Sequence, residues 1–381
     1  MAERDAGIVA AAFQARFGTA PRVFRAPGRI NIIGEHTDYC DGLAMPAAID
    51  RVCLIAAAPN GTNSLRIVSR ETGEGSEVDL ADLAPRHAWT DYVAGVAAIL
   101  GQDGVPVAGA DLMIASDVPM GAGVSSSAAL EVATAHALLA LSGRSATPLQ
   151  IALWAQAAEN RFVGMPCGLM DQFASAHGVD GAALLLDCRA RTGRPLPLPA
   201  DAAFLVINSM VRHAHVGGAY AERRQDCEEA AALMGVAALR DVTPEKLEVL
   251  QGTLPPRVAR RARHVVSEIA RVEAAAVAIA AGDLARLGAL MNASHHSLQH
   301  DMEVSIEALD RLAGIARAAP GIHGARMMGG GFGGCVIALA ARHQAAEALE
   351  TISSAYGAWH GEPPSGFLCT AVAGAGEIAH V

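Results

Sequence analysis

A chain of 381 residues with 52% hydrophobic and 18% charged residues can bury a sizeable core, which excludes a disordered polymer and predicts two or three domains. Its net charge of −10, with no basic block, argues against a nucleic-acid partner. No run of about 18 apolar residues is free of charges or of Gly and Pro breaks, so no membrane span is expected.

The N-terminal MAERDAGIVAAAFQARF lacks a charged-then-apolar leader with a small-residue cleavage site. It reads as an amphipathic helix, Ile8–Phe17, of a cytoplasmic protein. Strands are then expected at Arg22–Ala26, Ala47–Ala58, Leu65–Val68, Ala110–Ala115 and Ala182–Asp187. Helices are expected at Asp91–Leu100, Ser126–Leu141, Pro148–Phe162 and Gly168–Ala176. The Pro- and Arg-rich stretch 189–201, RARTGRPLPLPAD, reads as a linker and divides the chain into domains 1–200 and 201–381. The second half opens on the strand-like FLVIN, followed by helices around 218–234, 257–281, 283–297 and 303–318. A Gly-rich segment, the strand-like CVIALAA, a helix at 343–356 and a strand at 367–372 complete it. Each half reads as a mixture of helix and strand, with a site expected where the halves meet. The seven cysteines are scattered, form no CxxC pair and are expected as reduced thiols.

Lys246 is the only lysine. It lies in TPEKLEVL, which reads as an ordinary exposed helix, so a cation that meets phosphate elsewhere must be Arg, His, a metal or a backbone dipole. Such a place exists in SDVPMGAGVSSSAALEVATAHALL, from Ser116. There a strand runs into a Pro–Gly–Gly turn, three serines and an Ala- and Leu-rich helix. Gly121 and Gly123, around Ala122, allow close backbone approach, and Ser125, Ser126 and Ser127 open the helix at its anion-attracting end. The absence of a lysine from the loop excludes a Walker A site.

Two other glycine-rich segments stand out. RAPGRINIIGEHTDYCDG, from Arg25 to Gly42, carries Arg29, Asn31, Glu35, His36, Asp38 and Tyr39 between glycines, more polar groups than a core strand holds. RMMGGGFGGCVIALAA contains a GxGxxG pattern at Gly329, Gly331 and Gly334. A strand-like run rather than a helix follows it, so a dinucleotide fold is not expected. In GMPCGLMDQFASAHG, from Gly164 to Gly178, Asp171 stands in an apolar helix, where an unpaired carboxylate would cost several kcal/mol.

Together these segments resemble the GHMP kinase superfamily and, within it, the galactokinase family. PMGAGVSSSA resembles the superfamily's phosphate loop PxGxGLSSSA. GRINIIGEHTDYCDG resembles the galactokinase signature GRxNLIGEHTDYNxG, and GMPCGLMDQ the family's GMPCGxMDQ. The Gly329–Gly334 segment resembles the superfamily's third motif, a turn closing over the phosphate loop. NSMVRHAHVGGAYAERRQDCEE, which contains Tyr220, resembles another galactokinase stretch. The resemblance runs from Phe13 to about Ala373. It implies a two-domain fold, an N-terminal α/β domain with a ferredoxin-like α+β C-terminal domain, and transfer of the ATP γ-phosphoryl group to the anomeric hydroxyl of D-galactose. By carry-over Asp171 is the base and Arg29 its electrostatic partner. Glu35, His36, Asp38, Gly168, Asp171 and Tyr220 would contact the sugar. Trp89, in HAWTDYVAGV, would line the adenine pocket, with Gly121, Ala122, Gly123 and Ser125–Ser127 on the phosphates. Ser127 and Glu159 would hold Mg²⁺. A sugar and ATP are the expected partners, and the chain is expected as a monomer or weak dimer. An N-acetylgalactosamine or other hexose 1-kinase is the alternative activity. A non-catalytic galactose and ATP sensor is more distant, because Ser125–Ala129 is intact. Cys40, where the family usually has Asn, bears on tolerance at C2 of the sugar. Met302 and Met328 also depart from the family, the latter beside the glycine turn.

Overall fold

A computed structural model describes residues 2–212 and 216–379. Helix α1 (Ala2–Phe17) leads into β1 (Arg22–Asn31), β2 (Leu43–Ala44), β3 (Pro46–Pro59), β4 (Ser64–Ser69), β5 (Gly75–Asp79) and, after α2 (Asp91–Gln102), β6 (Ala110–Ser116). Five of these strands and the C-terminal β13 (Gly376–Ile378) form a six-stranded sheet in the order β13-β1-β3-β6-β4-β5. Only β4 and β6 pair in parallel among the described strands. The long β3 shows why its sequence reads as one apolar run. Val52, Leu54, Ala56 and Ala58 face Phe13 and Val9 of α1, while Cys53, Ile55 and Ala57 face the main core. A strand covered on both faces has no polar side.

The core face is covered by α3 (Ser126–Leu141), α4 (Pro148–Ala157) and α5 (Met170–His177). The helix expected over Pro148–Phe162 changes character at Ala158, where a π-helical turn, Ala158–Val163, begins. Beyond α5, β7 (Ala182–Asp187) pairs with β2 on one side and β8 (Thr192–Pro197) on the other. The stretch 189–201 is therefore not a linker throughout. Pro195 is tolerated in β8 because that strand is an edge, where a missing N–H breaks no ladder.

The second half contains β9 (Ala202–Arg212), α6 (Val216–Leu233), α7 (Pro244–Leu250), α8 (Pro256–Ala281), α9 (Leu284–His300) and α10 (Glu307–Ala318). Then come β10 (Ile322–Met328), β11 (Gly333–Ala341), α11 (Ala345–His360) and β12 (Ser365–Cys369). Its sheet runs β10-β11-β9-β12 with every pair antiparallel, which is ferredoxin-like topology. The helix expected at 303–318 begins only at Glu307, and Ser305 Oγ donates to Asp310 Oδ1 at 2.5 Å across its start. The expected last strand at 367–372 is Ser365–Cys369 instead. Strand β13 then returns to the first sheet, where Glu377 meets Arg22 at 2.6 Å.

Candidate active site

Strand β1 delivers Arg29 through a register shift between Pro27 and Arg29, a bulge that re-aims the side chain. Gly28 at the bulge allows close approach to the loop before α3: a Cβ there would lie 2.7 Å from the Val124 carbonyl oxygen, to which the Arg29 N–H donates at 3.1 Å. The Arg29 guanidinium is 3% exposed. It donates through Nε and Nη2 to the two Asp171 oxygens at 2.8 and 2.9 Å, and through Nη1 to the Gly123 carbonyl at 2.6 Å. Ser125 adopts a left-handed conformation at the start of α3 and leaves the helix end uncapped by its side chain. Its hydroxyl instead donates to Asp171 Oδ2 at 2.5 Å. One carboxylate is thus held in a planar fork and by a hydroxyl, a few ångströms from the phosphate-type loop.

The polar loop after β1 folds tightly around Gly34 and His36, both at positive φ. A left-handed histidine is a strained conformation that neighbours must enforce. Thr37 Oγ1 donates to the Gly34 and Leu43 carbonyls at 3.0 and 2.8 Å. His36 Nε2 donates to the Gly330 carbonyl at 3.2 Å, and because a carbonyl only accepts, Nδ1 must accept the Tyr39 hydroxyl at 2.8 Å. Burial, then neighbouring His264, pull its pKa down to about 3, so the ring is neutral with both nitrogens engaged. Burial, followed by the charges of Asp171 and Glu35, pushes Asp38 up to about 7. Gly168 is constrained to lack a side chain, since a Cβ would overlap the Asp38 carboxyl group.

Glu159 lies on the π-helical turn, a local irregularity frequent at functional sites. It accepts a hydrogen bond from Ser127, and burial followed by the Asp171 charge lifts its pKa to about 7. Gln172 Nε2 bridges Glu159 at 2.7 Å and Glu131 at 3.2 Å. Burial, then Glu159, raise Glu131 as well, and its Oε1 has no partner among the described residues. Two buried carboxyls, a hydroxyl and no ion-pairing cation among the described residues form a donor set suited to a hard divalent ion. Glu159 and Ser127 therefore fit Mg²⁺ chemically.

Arg29, Glu35, His36, Asp38, Glu159, Gly168, Asp171 and Tyr220 line one pocket, bounded also by Met165, Met170 and the Gly329–Gly330 turn. Gly121 and Gly123 both take positive φ, and Ala122 is buried between them. Ser126 and Ser127 begin α3. The third glycine segment closes over this loop, with a Cβ on Gly329 falling 3.6 Å from Gly123. Strand β11 follows it, as expected for a non-Rossmann turn. Trp89 is half-buried before α2 and packs on the main core, outside the pocket. Cys40 does not line the pocket either. It is buried in the core of the second half, hydrogen-bonded with Cys227, so the motif's departure there gives no contact to a sugar's C2. Sequence reasoning did not single out Ser125 as a partner of Asp171, nor Glu131, Gln172 or Arg326. The neighbouring MDQ residues were a signal for Gln172, and the buried arginine in β10 had none.

Residues 91–179 match the GHMP kinases N terminal domain and residues 275–358 the GHMP kinases C terminal domain. The fold is shared with mevalonate kinase of Methanococcus jannaschii at a TM-score of 0.66 and 18% identity, over 93% of this chain and 99% of that one. This is the fold of a GHMP kinase. Residues 11–59 further match the galactokinase galactose-binding signature. A galactokinase of Chloroflexus aurantiacus is 46% identical over 96% of this chain and 95% of its own. The crystal structure of Lactococcus lactis galactokinase complexed with galactose superposes with a TM-score of 0.93 at 31% identity, covering 98% of this chain and 99% of that one. The chain belongs to the galactokinase family.

Proposed function

We propose that this protein transfers the γ-phosphoryl group of ATP to the anomeric hydroxyl of D-galactose, giving galactose 1-phosphate and ADP. The carrying observation is the Asp171 carboxylate, fixed by Arg29 and Ser125 between a pocket rich in carboxylates and the glycine–serine loop. Glu35, Asp38 and Asp171 make the pocket hostile to an anionic acceptor and receptive to a neutral polyol, whose hydroxyls donate to carboxylates. Tyr220 and Met170 supply apolar walls, and Gly168 keeps Asp38 at the pocket surface.

In the reaction so proposed, Asp171 accepts or orients the proton of the attacking hydroxyl. Arg29 holds that carboxylate in its planar fork and places positive charge toward the transferring group. The backbone N–H groups at the start of α3, with Gly121, Ala122, Gly123 and Ser125–Ser127, would receive the phosphates, and Trp89 would flank the adenine. Glu159 and Ser127 would hold Mg²⁺, which when bound offsets phosphate charge. Direct in-line transfer needs no covalent enzyme intermediate. Residues 1–200 and 201–381 are our proposed domains, the second opening on β9, with β13 crossing back. The free thiols suit a reducing compartment, so we place the reaction in the cytoplasm. No described helix is long and apolar enough to cross a membrane.

A coupled ADP-release assay over a panel of hexoses tests the reading. Galactose should give the highest kcat/KM, with product phosphorylated at the anomeric oxygen. Equal or higher kcat/KM for N-acetylgalactosamine would move the assignment to the alternative, and binding without turnover would make the chain a sensor.

A further inference from the structure

Arg326 is a complete anomaly by composition: a full guanidinium in the middle of β10 with no exposed surface. A buried cation persists only where its donors are satisfied and its charge is balanced. Its donors are directed at the loop that follows β1. Nε donates to the Ile32 carbonyl at 2.8 Å, Nη2 to the Asn31 carbonyl at 2.6 Å and to Glu35 Oε1 at 3.1 Å, and Nη1 to its neighbour Met327 at 2.8 Å. Glu35 is its one ion-pair partner among the described residues. The same Oε1 accepts the Gly329 N–H at 2.8 Å, so that oxygen is fully occupied and Oε2 is left to the pocket that Glu35 lines.

Other contacts act in the same direction. Glu268 of α8 accepts the Gly34 N–H at 2.9 Å, and His264 Nε2 donates to the Glu35 carbonyl at 3.0 Å. Each of these pins comes from the second half of the chain, while the loop belongs to the first. We propose that Arg326 is a positioning residue for sugar recognition: it clamps the loop by two carbonyls and one Glu35 oxygen, and so orients the other oxygen toward a hydroxyl of the acceptor. This rests on the galactose reading given above. Arg326 itself touches no substrate and acts through Glu35.

Steady-state kinetics of Arg326→Lys, Glu35→Gln and the double variant test this, with galactose and each monodeoxygalactose as acceptors. A lysine keeps the charge but loses the fork. Each single change should raise the KM for galactose roughly 10- to 100-fold, the worth of a hydrogen bond to a charged group. The kcat and the KM for ATP should stay within about twofold, as expected for lost ground-state sugar binding. The double variant should be no worse than Glu35→Gln, and the deoxygalactose that erases the Glu35→Gln penalty should erase that of Arg326→Lys too. Multiplying penalties, or a loss spread evenly over kcat and both KM values, would show a merely structural arginine and overturn the proposal. If Arg326→Lys does not fold, Arg326→Met with Glu35→Gln removes both buried charges, and its galactose KM must equal that of Glu35→Gln alone. Failure of the wild-type chain to phosphorylate galactose would instead overturn the galactose reading, a separate result.

Discussion

Gly28→Ala is a small change with a calculable consequence. The added Cβ would lie 2.7 Å from the Val124 carbonyl oxygen, where ordinary contact begins at 3.4 Å, a shortfall of about 0.7 Å, and 2.9 Å from Val118 Cγ1. Val124 is backbone within the phosphate-type loop and Val118 is buried, so neither can swing away freely. The strand and the loop must separate by several tenths of an ångström, stretching the 3.1 Å bond from Arg29 N–H to Val124. Overpacking of this kind costs about 1–3 kcal/mol, which lowers Tm by only about 1–4 °C in a chain of this size. Activity should suffer more than stability, because Arg29 bridges the loop at Gly123 to Asp171, and a displacement approaching 1 Å costs up to about 100-fold in rate. Thermal unfolding and steady-state kinetics on the same preparation provide the comparison. A Gly28→Ala protein with wild-type kcat would show that the close approach of β1 to the loop does not set the geometry of Arg29 and Asp171.

Two further outcomes follow from the charges of the site. Glu159→Gln should raise the Mg²⁺ concentration for half-maximal rate roughly tenfold or more, because a charged hard ligand becomes neutral; an unchanged Mg²⁺ titration would give Glu159 a structural role only. In the ligand-free protein Asp38 has a pKa of about 7 against 3.8 for the ordinary side chain, raised first by burial. Its stabilising contribution is complete below pH 3.8 and declines as pH rises toward 7, by at most about 1.4 kcal/mol per unit. Asp38→Asn should therefore flatten the fall of Tm between pH 4 and 7; parallel wild-type and variant curves would contradict that burial.

What the sequence shows most clearly are the segments where local chemistry and chain position coincide. The glycines and serines of 121–127, the polar loop of 25–42 and the lone Asp171 each break the pattern expected of an ordinary element, and all converge on one site. Less visible are features whose cause is tertiary. Strand β8 looks like a linker because its Pro195 is acceptable only at an edge, and edges are decided by the sheet. The turn at Ala158–Val163 continues a helical pattern, so the π-helical register that presents Glu159 leaves little trace in periodicity. Strand β10 is obscured by Arg326, a residue that reads as exposed until its partners Asn31, Ile32 and Glu35 are brought to it from nearly 300 positions away. Cys40 shows the opposite error: a motif position suggests a sugar contact, and the fold turns the side chain into the other core.

Asp171→Asn probes the catalytic carboxylate itself. The amide preserves shape, and with its oxygen in the place of Oδ2 it can still accept from Arg29 Nη2 and Ser125 at the loss of the bond from Arg29 Nε, but it cannot take up a proton as the carboxylate does. Measured by single-turnover kinetics with ATP and galactose, beside calorimetric titration with an ATP analogue and thermal unfolding, the variant should remain folded and bind nucleotide within about twofold of wild type. Its phosphoryl-transfer rate should fall by roughly 10²–10⁴, the contribution of a positioned base. A folded Asp171→Asn protein that phosphorylates galactose near the wild-type rate would contradict the assignment of the carboxylate, and with it the mechanism.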